Sequence, residues 1–328
     1  MTTYLGIDIA KDTFATALVR DGQPVELGEF PNTATGFKQL HNFLKKRVKK
    51  DVLHACLEAT GYYGDELAHF LLESGYLVSV MNPARIKSYA DSLLSRTKTD
   101  ATDAVIIADF CRTQQPEAWV APTPEIRELR ALVRHVIALT ELRQQEVNRS
   151  KAGIPSQQVL DTIHQHIEFL NQQIKGLKKQ INDHIDRFPD LSQQQDLLSS
   201  IPGIGEWTAA RLLSELPNWS QFETAKQVTA YAGLSPAQRQ SGSSIRGKAR
   251  LSKRGSSRLR SSLFFPAICA KRHNPVFAQF ATRLAAAGKS KMTIIAAIMR
   301  KLLVLAFTLL KSGRPFDLQF ALSASQTT

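Results

Sequence analysis

Tyr4-Leu5-Gly6-Ile7-Asp8-Ile9-Ala10-Lys11 is a short β-rich run with one carboxylate inside it. An aspartate in an apolar strand is expensive to bury unless it is paired or bound to a cation. By itself Asp8 is a mild signal of chemistry at the end of this strand. Residues 14–19 and 25–30 continue the strand pattern, separated by the turn signal Arg20-Asp21-Gly22-Gln23-Pro24. The spacing of Phe37, Leu40, Phe43 and Leu44 predicts a helix over 33–48, with Thr33 or Thr35 as its N-cap. A strand over 52–57 ends at Glu58, and a helix around 66–72, a strand over 76–80 and more helix follow. Hairpin strands followed by alternating helix and strand predict a mixed α/β sheet flanked by helices.

Two further acids, Asp100 and Asp103, stand three apart in Lys98-Thr99-Asp100-Ala101-Thr102-Asp103-Ala104, which runs on as a helix. That spacing puts both carboxylates on one helical face. Singly, each acid has an ordinary explanation: Glu58 as a surface group, the Asp pair as acids favoured at a helix N-terminus. Together, on these elements and in this order, Asp8, Glu58, Asp100 and Asp103 form a set of hard oxygen donors of the kind Mg²⁺ takes, one or two ions per site. Two such ions suit phosphodiester transfer. The Gly6-Ile7-Asp8 run also resembles the first phosphate loop of actin-like sugar kinases. Those need a second phosphate hairpin and a Gly-rich adenosine loop, and neither is found in the sequence.

Charge separates the chain into unlike parts. From Thr224 to Phe316 there is no Asp or Glu, yet there are 18 Lys and Arg; the remainder holds 24 basic and 29 acidic residues. A stretch of one sign repels itself unless a polyanion neutralises it, which points to nucleic acid. An anionic membrane fits less well, because the charges are scattered instead of clustered. The longest apolar run, 292–310, is interrupted by Arg300-Lys301, which favours a buried amphipathic helix over a membrane span. The start of the chain lacks a secretory pattern, and Cys56, Cys111 and Cys269 are too scattered for a disulfide frame or zinc site. The expectation is a bacterial cytoplasmic protein with reduced cysteines and no membrane association.

Residues 125–148 and 156–186 read as long helices with a turn at 151–155. In the second, Leu160, Ile163, Ile167, Leu170, Ile174, Leu177, Ile181 and Ile185 keep a coiled-coil seam. The seam serves either a hairpin within the chain or a dimer, and both readings stand at this level. Further on, Ile201-Pro202-Gly203-Ile204-Gly205 joins two helical stretches, a helix-hairpin-helix pattern whose glycines let backbone N–H groups approach a phosphate. Arg239, Arg246, Lys248, Arg250, Lys253, Arg254, Arg258 and Arg260 then lie among Gly and Ser. Such a cluster suits a phosphate-binding loop and also the activation of a serine hydroxyl. With many serines present, physics alone does not choose one.

Taken in order, these motifs resemble the transposases of insertion-sequence family one-ten, the bridge-RNA-guided recombinases. The shared elements are Gly-Ile-Asp-x-Ala-Lys at Asp8, Glu-Ala-Thr-Gly at Glu58, Asn-Pro at Asn82 and Lys-Thr-Asp-x-x-Asp-Ala at Asp100 and Asp103. Ile-Pro-Gly-Ile-Gly, Tyr-Ala-Gly-Leu-Ser-Pro at Tyr231, Ser-Gly-Ser-Ser at Ser241 and Lys-Ser-Gly-x-Pro-Phe-Asp at Lys311 follow. The resemblance runs from about residue 4 to 317. It implies a RuvC-like ribonuclease H fold over 1–122 with the four carboxylates as a metal site. It further implies a coiled coil over 123–190 joining protomers, and a mainly helical transposase domain over 191–328. There Ser241 would be the nucleophile, linked covalently to the 5′-phosphate of DNA. Implied partners are donor and target DNA, a structured guide RNA and further copies of the chain, a dimer assembling to a tetramer. Two rivals are a junction-resolving nuclease that uses water and a non-catalytic nucleic-acid-binding protein.

Overall fold

Alternate residues of a strand face opposite sides of its sheet, and the first strand uses both sides. The computed structural model describes residues 2–48, 52–59, 61–93, 99–216, 219–237, 240–241, 245–246 and 250–318, excluding the side chains of Glu26, Leu27, Tyr62, Gln240, Ser241, Ile245 and Arg246. The chain divides into two units, Met1–Ala121 and Pro122–Thr328.

The first unit runs β1 (Thr2–Ile9), β2 (Thr13–Arg20), β3 (Gln23–Pro31), α1 (Ala34–Arg47), β4 (Val52–Glu58), α2 (Tyr62–Glu73), β5 (Leu77–Met81), α3 (Pro83–Ser92) and α4 (Asp100–Gln114). The sheet order is β3-β2-β1-β4-β5. The first three strands pair antiparallel, and β4 and β5 add in parallel on the far side of β1. This is the mixed sheet expected from the alternation. Leu5, Ile7 and Ile9 turn to one face, where they join Phe37, Leu40 and Leu44 of α1 and Leu67 and Leu71 of α2 in one core. The other face carries α4, which packs on β1 and β2. Thr33 caps α1, its side chain accepting from the Gly36 N–H.

The second unit is mainly helical: α5 (Pro124–Ser150), α6 (Gln157–Asp186), α7 (Pro189–Ser199), α8 (Glu206–Glu215) and α9 (Ala225–Tyr231) precede four two-residue strands. These are β6 (Pro236–Ala237), β7 (Gln240–Ser241), β8 (Ile245–Arg246) and β9 (Arg250–Leu251). Helices α10 (Ser257–Ser262), α11 (Phe264–His273), α12 (Pro275–Ala286) and α13 (Lys291–Ser312) complete it. The seam of α6 turns inward on α5: Ile163, Leu170, Ile174, Ile181 and Ile185 are buried, as are Ile126, Leu129, Val133 and Val136 opposite. Bonds from Arg143 to Asn171 at 3.3 Å and between His184 and the Glu125 carbonyl at 2.8 Å fix an antiparallel hairpin within the chain. The expected spacer over 123–190 and domain over 191–328 thus share one core, which takes in α5 to α8 and α13. A two-pronged pair from Arg134 to Glu215, at 2.9 and 3.2 Å, ties α5 to α8. Helix α13 is long and apolar enough to cross a membrane by length and composition. Its Ile298, Leu302, Leu303 and Ala306 are instead part of this core.

Within β4, His54 is buried with its Nε2 2.8 Å from Ser79 Oγ, and that hydroxyl donates to the Glu117 carbonyl at 2.7 Å. The imidazole is thereby the donor through Nε2–H. Burial pushes its pKa below the ordinary value of 6.5. The unfolded chain then binds the proton more readily than the folded one, so this contribution to stability is complete above pH 6.5 and is lost as pH falls through it. Chemical denaturation across that range is expected to show a shallower acid loss in His54→Gln than in the parent chain.

Candidate active site and nucleic-acid surface

Tyr4, Gly6 and Asp8 point to the α4 side of the sheet. A Cβ on Gly6 would stand 2.0 Å from the Ala104 carbonyl oxygen and 2.3 Å from the Ala108 nitrogen, so the helix backbone lies directly on the strand. The far end of α4 is held by Gln115, whose Nε2 donates to the Tyr4 hydroxyl at 2.7 Å. Helix and strand therefore run antiparallel, and the first turn of α4 comes to the Asp8 end of β1. That turn carries Asp100, exposed, and Asp103, half-buried. Thr99 caps it, accepting from the Thr102 N–H at 3.2 Å. Parallel pairing of β1 with β4 sets Ile7 beside Leu57, so Asp8 and Glu58 are the next residues on neighbouring strands, both half-buried.

The fold thus brings all four acids to one end and one face of the sheet. Their side chains are not drawn tight: among the described residues no three His, Cys, Asp or Glu groups are close enough to hold a metal ion. In donor chemistry the set fits a hard divalent cation, with water and phosphate oxygens completing its shell. Asn32, absent from the sequence expectations, braces this end. Its amide donates to the Ala10 carbonyl at 3.1 Å and the Tyr63 carbonyl at 3.0 Å, fastening the exit of β1 to the start of α2. Its only sequence signal was its place just before the helix cap Thr33.

In the second unit the described parts of the Gly- and Ser-rich basic segment include four two-residue strands that pair antiparallel. Strand β6 pairs with β9, and β7 with β8, which sets Ser241 opposite Ile245. The β6–β9 stem is anchored through backbone: Ser252 N–H to Ser235 O at 2.9 Å, Lys253 N–H to Gly233 O at 3.1 Å and Ser256 N–H to Tyr231 O at 2.7 Å. Gly233 and Gly255 both adopt positive φ, +67° and +155°. A Cβ on Gly255 would lie 2.3 Å from the Tyr231 oxygen. Of the expected phosphate-binding cations, Arg250, Lys253, Arg254 and Arg258 are exposed. Arg260 has a structural task, its guanidinium donating to the Ala232 carbonyl at 3.0 Å under the stem. Arg239 and Lys248, and the side chains of Ser241 and Arg246, lie outside the described residues.

The helix-hairpin-helix pattern corresponds to α7, the turn at 200–205, and α8. Its glycines differ in purpose. Gly203, at φ +106°, is required by packing, since a Cβ would meet Ala270 of α11 at 2.9 Å. Gly205 is exposed at the N-cap of α8 with open space before it.

Comparison with known proteins gives two family matches. The DEDD transposase model of the IS110 family, described as Transposase, covers residues 5–164, and one described as Transposase IS116/IS110/IS902 family covers residues 195–282. The chain is 35% identical over 317 residues to the pilin gene-inverting protein of Moraxella bovis, spanning 96% of this chain and 98% of that one. The namesake from Moraxella lacunata matches to the same extent. The transposase for insertion sequence element IS1328 of Yersinia enterocolitica is 26% identical over 226 residues, 59% of this chain and 64% of its own.

Two glycine substitutions test these packing arguments. Gly6→Ala forces α4 off the strand and is expected to destabilise the first unit by about 1–3 kcal/mol, read by denaturant unfolding. Gly255→Ala is expected to open the β6–β9 stem, so the amide protons of Ser252 and Ser256 exchange faster with solvent while overall helix content is unchanged.

Proposed function

The chain belongs to the IS110 family of transposases and is a DNA transposase or recombinase; from that premise we propose that it cuts and rejoins DNA through a covalent phosphoserine at Ser241, assisted by Mg²⁺ at Asp8, Glu58, Asp100 and Asp103. The observation that carries the reading is the convergence of those four acids on one end of the sheet, produced by the close contact of α4 with Gly6. In this reading the first unit is RuvC-like, a ribonuclease H fold. A cation bound by the carboxylates would neutralise charge developing on the scissile phosphate.

In the proposed step, the Ser241 hydroxyl loses its proton and Oγ forms a bond to phosphorus. The bond from phosphorus to the 3′ oxygen breaks, and that oxygen leaves as a 3′-hydroxyl. A 3′-hydroxyl of another strand then reverses the exchange at the phosphoserine and regenerates the serine. One phosphodiester is exchanged for another, so no ATP is needed. Exposed cations such as Arg250 and Arg254 would hold the phosphate chain, and the N–H groups at Gly205 a neighbouring phosphate. Residues 224–316 contain no carboxylate, so in this reading the cation is held by acids outside that segment, the four named above, in the same or another copy. Strand exchange between paired DNAs calls for several protomers, and the basic surface suits a structured guide RNA beside donor and target DNA.

The relatives named as pilin gene-inverting proteins favour a second reading of the product, in which the same exchange inverts a DNA segment instead of moving an element. Both readings share the serine and the carboxylates. Ser241→Ala is expected to abolish the covalent protein–DNA adduct on denaturing gels while DNA binding persists. Asp8→Asn is expected to remove cleavage and its dependence on Mg²⁺ together. An adduct surviving in Ser241→Ala, or full cleavage in chelator, would overturn the assignment.

A further inference from the structure

Phe265 is 75% exposed, the most exposed large apolar side chain among the described residues. It stands where α10 gives way to α11, just before Pro266, which has no N–H to offer the Ser262 carbonyl. Phe264 packs on the core and meets the Phe265 ring edge-on, with centroids 5.4 Å apart and planes at 78°. One side of the ring is thereby steadied and the rest left to solvent. Arg258, Ser261, Phe265, Cys269 and Arg272 follow one another at intervals of three and four, and all are exposed. They form one stripe, an aromatic ring with an arginine towards either end.

The charge of the region decides what could cover such a stripe. A second copy laid on the same stripe would set arginine against arginine, with no carboxylate between 224 and 316 to relieve it. A nucleic-acid strand supplies phosphates for the arginines and flat base faces for the ring.

We propose that Phe265 is a base-stacking residue that takes an unpaired DNA base on its free face, while Arg258 and Arg272 hold the flanking phosphates. The proposal rests on the DNA strand-exchange reading above and deepens it, since exchange requires base pairs to open. Stacking on an aromatic ring is tolerant of sequence and lost when the ring is removed; charge neutralisation by arginine is a separate, salt-sensitive contribution.

Two probes of one sequence separate these effects, a fully paired duplex and the same duplex with a central unpaired bubble. The parent chain is expected to prefer the bubble. Phe265→Ala is expected to weaken bubble binding about ten-fold, leaving duplex affinity and its salt dependence unchanged, and Phe265→Trp to retain the preference. Cys269 provides an independent reading, because Cys56 and Cys111 are buried and it alone is exposed. Its alkylation is expected to slow more with the bubble than with the duplex. Equal losses on both probes in Phe265→Ala, an unchanged bubble preference, or alkylation indifferent to DNA would each overturn the stacking role. Failure of the parent chain to bind either probe would overturn the strand-exchange reading as well.

Discussion

Gly6 has no side chain, and the backbone of α4 occupies the volume where one would stand. That contact lets the helix lie on the strand with nothing between them, and Gln115 on Tyr4 fixes its direction. Direction is what matters for the chemistry. Turned the other way, α4 would carry Asp100 and Asp103 to the opposite end of β1 from Asp8. As it lies, the strand ends and the helix start present their carboxylates together. The other side of the same strand, through Leu5 and Ile7, supplies the apolar burial that makes the sheet stable. One short strand thus serves the core with one set of alternate residues and the proposed site with the other.

The second unit solves a different problem. Its paired short strands lie in a segment without acids, where like charges oppose close folding. The stem is held by main-chain bonds and by glycines that let strands and turns touch, which do not depend on charge. Arg260 contributes from beneath through a carbonyl, while Arg250, Lys253 and Arg254 remain outward. The apolar support comes from below, from a core shared by α5 to α8 and α13. The exposed cations are therefore carried on main-chain bonds and apolar packing, and they stay available to a polyanion.

Much of this was legible in the residues. β-rich runs bounded by turn signals gave β1 to β5 to within a few positions, three-four spacing gave α1 and α6, and a stretch without helix breakers gave α5. The same pattern could not say what the α6 seam packs against, because an inward hairpin and a dimer need identical apolar spacing; Arg143, Glu125 and their partners decide it for the buried part of the seam. The pairing of β6 with β9 and of β7 with β8 was invisible for the opposite reason. The Gly, Ser and Arg residues there carry no apolar period, and the pairing comes from backbone bonds that composition does not reveal. Likewise the close approach of Gly203 to Ala270 was not legible, because it comes from a helix about seventy residues on. Gly6 was there to be noticed: an isolated glycine inside a strand commonly marks a close backbone approach.

The proposed chemistry turns on whether DNA becomes attached to Ser241 before it is rejoined. The direct measurement is peptide mass spectrometry of the protein after reaction with DNA in isotopically heavy water, followed by nuclease digestion. The account predicts a nucleotide phosphate on the peptide that contains Ser241, with no heavy oxygen in the rejoined strands. Heavy oxygen at a free 5′-phosphate with no modified serine, or a nucleotide on a different residue, would contradict it.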